Sequence, residues 1–126
     1  MVKVLGLDHI VLRVADVERS LAWYRDELGL EPERVEEWRR GEVLFPSVRI
    51  DKTTVIDLLK AERSGENMDH VCVVIAPEDL DALKASGRFD VVTGPSRVWG
   101  AQGDGLGLYV RDPDGNVVEL RHYGSE

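Results

Sequence analysis

Two histidines and two carboxylates stand at matching places in this chain. Leu7-Asp8-His9-Ile10-Val11-Leu12-Arg13-Val14 returns as Met68-Asp69-His70-Val71-Cys72-Val73-Val74-Ile75, and Thr54-Val55-Ile56-Asp57-Leu58 returns as Asn116-Val117-Val118-Glu119-Leu120. Each copy carries one imidazole and one acid. If the copies pack with pseudo-twofold symmetry, His9, Asp57, His70 and Glu119 converge into a donor shell suited to a divalent metal. On the residues alone a strand histidine also fits a surface or hydrogen-bonded core position, and the two acids also fit a solvated sheet face. A buried strand carboxylate is costly unless it is paired or metal-bound, which gives the repetition its weight.

The elements that must position these groups follow from hydrophobic period. Residues 7–14 alternate and are rich in Val, Ile and Leu, so they form a strand. Side chains alternate across it, placing His9, Val11 and Arg13 on one face and the apolar Ile10, Leu12 and Val14 on the other. Asp16 caps a helix carrying Val17, Leu21, Tyr24 and Leu28 at helical spacing, and Gly29 stops it. Strands are expected near 34–38, 42–50 and 53–60, with Arg39-Arg40-Gly41 and Asp51-Lys52 as turns. The polar Arg63-Ser64-Gly65-Glu66-Asn67 links this module (1–62) to a second (68–126).

The second module repeats the order: a strand at 68–75, a helix from Pro77 to Gly87, and strands near 89–93, 105–111 and 116–123. Arg111-Asp112-Pro113-Asp114-Gly115-Asn116 has the chemistry of a tight turn. His70 shares a face with Cys72 and Val74, Asp57 with Val55 and Leu59, and Glu119 with Val117, Arg121 and Tyr123. Both histidines therefore lie on the face away from their helices. The glycine-rich run from Trp99 to Gly107 lacks the Gly-Lys-Ser/Thr ending of a phosphate loop and reads as a flexible loop entering a strand.

Bulk properties narrow the class. At 126 residues the chain fits a single domain, 1–126, built of two modules sharing a core. A composition 43% hydrophobic and 32% charged is that of a soluble globular protein, and no apolar run approaches the ~18 residues of a membrane span. The net charge of −8 argues against nucleic acid as the main partner. Met1-Val2-Lys3-Val4 runs straight into the first strand without a secretory signal, and the lone Cys72 agrees with a reducing compartment, so a cytoplasmic location is expected.

Taken together, the His9–Val14 strand before an Asp-capped helix containing Trp23-Tyr24, the Val55-Ile56-Asp57-Leu58 and Asp69-His70-Val71 segments, and the run from Arg111 to Leu120 resemble the vicinal oxygen chelate superfamily. That group holds glyoxalase I, fosfomycin-resistance thiol transferases, methylmalonyl-CoA epimerase, extradiol dioxygenases and bleomycin-resistance proteins. The resemblance implies an α+β fold in which two βαβββ modules form a cupped, largely antiparallel mixed sheet with helices on the outer face. It further implies a divalent metal (Ni, Zn, Co, Mn or Fe(II)) held by His9, Asp57, His70 and Glu119, a homodimer, and a small-molecule substrate such as a thiol adduct. One position departs, because the glyoxalases have glutamate where Asp57 stands, and aspartate is shorter by about 1.5 Å. Without Asp57 the remaining His9, His70 and Glu119 form the two-histidine, one-carboxylate triad of non-haem iron oxygenases.

The first expectation is a glyoxalase-like lyase or isomerase, with Glu119 as the base, shared by Asp57, that removes a proton next to a metal-polarised carbonyl. Arg13, Arg121 and Tyr123 are expected to bind substrate, Arg13 through an anionic group. Cys72 is expected as a small buried filler rather than a soft ligand. Trp23 is expected to pack, while Trp38 and Trp99 are candidates for the pocket mouth or a dimer seam. The alternatives are an Fe(II) extradiol dioxygenase and a non-catalytic, bleomycin-resistance-like binding protein.

Overall fold

A computed structural model describes residues 2–62, 64–111 and 115–124. The first module runs β1 (Val4–Val14), α1 (Val17–Leu28), β2 (Glu31–Glu33), α2 (Val35–Arg39), β3 (Ser47–Arg49) and β4 (Val55–Lys60). The second runs β5 (Met68–Ile75), α3 (Leu80–Ala85), β6 (Asp90–Gly100), β7 (Gly103–Arg111) and β8 (Val117–His122). All eight strands join one mixed sheet in the order β2-β3-β4-β1-β5-β8-β7-β6. Read outward from its centre the order is 1-4-3-2 on one side and 5-8-7-6 on the other. The symmetry element therefore lies at the antiparallel β1–β5 seam, with β4 and β8 each parallel to the leading strand of its own module.

Each module covers one sheet face with its helix. Asp16 accepts a hydrogen bond from the Arg19 amide at 3.0 Å, and the Gly29 amide, on a left-handed residue, closes the helix onto Arg25. Val17 and Leu21 of α1 bury against Val48 and Leu58, and Leu80 and Leu83 of α3 bury against Ile75, Leu108, Val110 and Leu120. Burial of each such side chain contributes roughly 1.5–3 kcal/mol, enough to fix which face of each strand meets a helix. Because side chains alternate, the neighbours of these residues in sequence, Ser47, Asp57, Glu119 and Arg121, are buried on the opposite face.

Three expectations are corrected here. The strand expected at 34–38 is the helix α2, entered through Arg34 in a left-handed conformation (φ 58°). Val35 and Trp38, three apart on a helix, both reach the apolar cluster under α1, and Arg39 bonds Glu18 across to α1, contacts that a strand's alternation would split. Of the strand expected at 42–50 only Ser47–Arg49 forms, since Pro46 lacks an amide for the ladder and residues 42–45 fold over the sheet. The glycine-rich run is no flexible loop: β6 extends to Gly100, Ala101 and Gln102 turn, and Gly100 pairs with Gly103. The turn at 112–114 and Arg63 lie outside the described residues, although Arg111 and Val117 on either side of that turn do pair. Among the described residues no helix is long and apolar enough to cross a membrane.

Candidate metal centre

Strand register brings the repeated residues together within one chain. Across the seam His9 pairs with Cys72 and Val11 with His70; Cys72 in turn pairs with Glu119 on β8, and Val11 with Asp57 on β4. Each acid thus sits one strand beyond a small or slender residue and reaches over it toward the imidazoles. His9 Nε2 lies 3.0 Å from His70 Nε2, and Glu119 Oε1 lies 3.4 Å from the first and 3.3 Å from the second. Asp57 stops short: its Oδ2 is 3.9 Å from His9 Nε2, and its Oδ1 is bonded to the Ser47 hydroxyl.

Two residues not foreseen as functional orient the imidazoles. Asp8 Oδ2 is 2.7 Å from His9 Nδ1, and Asp69 Oδ2 is 2.9 Å from His70 Nδ1. Adjacent side chains on a strand should face opposite ways, but the register slips at both places. Asp8 is an extra residue on β1 between the Leu7–Val73 and His9–Cys72 pairs, and Asp69 is an extra residue on β5 between the Val11–His70 and Leu12–Met68 pairs. A β-bulge re-aims the inserted side chain, here toward the ring beside it. The signal was in the sequence as a repeated Asp-His dipeptide. A carboxylate at Nδ1 can only accept, so each Nδ1 carries a proton and each Nε2 is the nitrogen turned inward.

That arrangement fits a cation. The two Nε2 atoms, 3.0 Å apart, converge on one point with Glu119 Oε1, which is wholly buried, has no hydrogen bond and brings negative charge there. Bonds of ~2.0–2.2 Å to a common metal at roughly 90–110° set neighbouring donors about 3.0–3.5 Å apart, the spacing seen among these three atoms. The field is visible in the acid–base chemistry as well. Burial opposes charge on His9, but Asp8, Cys72 and Glu119 outweigh it and push its pKa up to about 12. Burial likewise opposes charge on Glu119, yet His70, His9 and Arg121 hold it well below the usual carboxylate range. Asp57 goes the other way: burial raises it, and His9, Ser47 and Arg34 only partly offset that.

The residues expected to touch substrate are engaged elsewhere. Arg121 is fully buried and donates to Glu119 Oε2, with Nη2 at 2.9 Å, and also to the Trp99 carbonyl. Tyr123 donates to Asp8 and accepts from Arg121. Arg13 reaches Asp69 Oδ1 at 3.4 Å. All three hold the groups that hold the imidazoles and the glutamate. The glycine-rich run makes room for this: a Cβ at Gly107 would lie 2.8 Å from Glu119 Oε2, and one at Gly100 would collide with the Arg121 guanidinium and the Tyr123 hydroxyl. Cys72 is buried between His9 and Glu119, and burial pushes its thiol up to about 12, so it stays neutral.

Above the three donors opens a cavity of about 400 Å³, within the range of small-molecule sites. Its walls are Arg34, Leu44, Phe45, Val98, Trp99 and Tyr109, with Asp57 beside the donors at the floor. Trp99 thus lies at the pocket, whereas Trp38 packs under α1 and Trp23 sits half-exposed against Tyr24. The Glu42–Phe45 segment that failed to extend as a strand forms one side of the mouth.

Two βαβββ halves joined along their leading strands, with paired imidazoles and a glutamate at the seam, define a duplicated fold with a donor set that could hold a metal ion. The chain belongs to the Glyoxalase/Bleomycin resistance protein/Dioxygenase superfamily, whose family model matches residues 6–120. It is 31% identical over 127 residues to the glyoxalase domain-containing protein RDO1 of Mycosarcoma maydis, covering 95% of this chain and 69% of the relative. It is 26% identical over 121 residues to the virulence protein STM3117 of Salmonella typhimurium, covering 93% and 83%. Among solved structures it resembles the Mn(II)-bound glyoxalase of Novosphingobium aromaticivorans, with a TM-score of 0.73 at 23% identity, covering 97% of this chain and 40% of that one. The fold is shared, and this chain spans less than half of that glyoxalase.

Proposed function

We propose that this protein is a divalent-metal-dependent lyase or isomerase of glyoxalase type, in which His9, His70 and Glu119 hold the metal and Asp57 is the base. The observation that carries this reading is the split between the two acids: Glu119 is pinned by Arg121 and kept ionised, while Asp57 stands beside the three donors, outside them, with a raised pKa. A base must be free to take and return a proton at working pH, which suits Asp57 better than the expected Glu119. A bound divalent cation would polarise a substrate carbonyl and stabilise the negative charge that develops on its oxygen.

The chain's own groups do the rest. Asp57 Oδ2 takes the proton from the hydroxyl-bearing carbon next to the carbonyl and returns it to the carbonyl carbon, while the hydroxyl proton passes to the former carbonyl oxygen, and Ser47 steadies Oδ1 throughout. Phe45, Trp99 and Val98 exclude water from the reacting carbon. The protein reconstituted with Mn(II) or Ni(II) is expected to turn over hemithioacetals of methylglyoxal with small thiols in the absence of oxygen. Asp57→Asn is expected to lower kcat by about 10²–10⁴-fold with metal retained. Full activity in Asp57→Asn would contradict the assignment.

One observation favours a second reading, ring-opening oxygenation: with Asp57 set apart, the donors are two imidazoles and one carboxylate, the set used by non-haem iron oxygenases. Catechol-dependent oxygen uptake with Fe(II), and no turnover of hemithioacetals under nitrogen, would select it.

A further inference from the structure

The cavity contains a cation that feels Asp57 and Glu33 through space but has no carboxylate in contact with it among the described residues. Arg121 is matched by Glu119, Arg49 by Glu33 and Arg13 by Asp69, whereas Arg34 makes no salt bridge among the described residues. Its guanidinium carbon lies 3.9 Å from the centroid of Trp99, with Phe45 at 5.6 Å. One terminal nitrogen donates to the Phe45 carbonyl at 3.2 Å, and its Nε is buried without a hydrogen bond. Arg34 is also the single non-glycine residue with positive φ among the described residues, a conformation that a bulky side chain adopts at a cost and that recurs at ligand clamps. A buried donor left open on a cation that stands against an aromatic wall of a site is suited to an anion that arrives from outside.

We propose that Arg34 anchors a carboxylate on the substrate, so that the site takes a small monoanionic carbonyl compound in preference to a neutral one. The head of that compound is assigned on the metal-dependent reading above; the tail is assigned on Arg34 alone. A single charge is favoured over a phosphate dianion because Glu42, Asp57 and Glu119 already line the cavity and Arg34 is the one lining arginine. The tail would lie on the Trp99 side, where the guanidinium stands over the indole, while the carbonyl faces the three donors and Asp57. Arg34 thereby fills the role that Arg13 was expected to play from the sequence.

The test uses hydroxamates that share a chelating head and differ in the tail: malonic, succinic and glutaric monohydroxamates against neutral alkyl hydroxamates of matching length. Each is titrated into Mn(II)-loaded and chelator-treated protein, with binding read by tryptophan fluorescence and calorimetry. At the best tail length the charged probe is expected to bind about tenfold or more tightly than its neutral partner. Arg34→Asn, whose residue tolerates a left-handed backbone, should reduce that preference to within about twofold, while Arg34→Lys keeps part of it. No preference at any length, or one that survives Arg34→Asn, overturns the anchor and leaves the metal reading standing. An Arg34-dependent preference that is equal with and without Mn(II), with no head-group binding, supports the anchor and overturns the metal reading.

Discussion

Asp57 and Glu119 occupy equivalent places in the two halves, each one strand beyond the seam, and yet they are built for different work. Glu119 is longer, reaches over Cys72 to within 3.4 Å of both Nε2 atoms, and has its second oxygen fixed by Arg121. Asp57 is shorter, stops 3.9 Å from His9, and among the described residues takes its side-chain hydrogen bond from the Ser47 hydroxyl. One methylene and the exchange of an arginine for a serine thus separate a symmetric pair, which on the proposed reading become a ligand and a base. Duplication supplies the placement, and the side chains that back each acid decide its protonation.

The comparison can be broken from either side. Glu119→Gln should abolish stoichiometric metal binding by calorimetry and all activity with it, whereas Asp57→Asn should leave metal binding within about threefold and remove turnover. Equal metal loss in both variants would mean that the two acids act alike. Asp57→Glu would sharpen the contrast: about 1.5 Å of extra reach brings the carboxylate to the donors, so metal affinity should rise while kcat falls. An Asp57→Glu variant with unchanged affinity would show that reach is not what separates them.

Smaller effects follow from the groups behind the imidazoles. Asp8→Asn and Asp69→Asn should each weaken metal affinity by about 10–100-fold, Asp8 more, because Asp8 is fully buried and also bonded by Tyr123 and the Ala101 amide. Burial opposes ionisation of both aspartates, but His9 and Tyr123 for Asp8, and His70 and Arg13 for Asp69, hold them below the usual value. Their contribution to stability is therefore complete above about pH 3.9 and lost as pH falls through the lower folded values. Urea melts against pH should show a steep acid limb, flattened in Asp8→Asn.

Repetition made the placement legible. The leading strands, the helix that follows each of them, and the face shared by His9, His70, Asp57 and Glu119 follow from alternation and from the duplicated Asp-His and acid-Leu segments. What alternation cannot express is a bulge, and two of the three register shifts along the β1–β5 seam fall at the aspartates that fix the rings. Arg34 escaped notice for a related reason. It sits where an expected strand gives way to a short helix, and nothing local in Glu33-Arg34-Val35 signals a left-handed turn. The glycines after Trp99 read as flexibility because the side chains they clear space for, Arg121 and Tyr123, arrive from a strand twenty residues further on.

Titration of metal-free protein with Mn(II), followed by electron paramagnetic resonance and calorimetry, tests the central claim most directly. One Mn(II) per chain in the wild type and in Asp57→Ala, and none in His70→Ala or Glu119→Ala, is the predicted result. Loss of binding in Asp57→Ala, or binding that survives removal of Glu119, would contradict it.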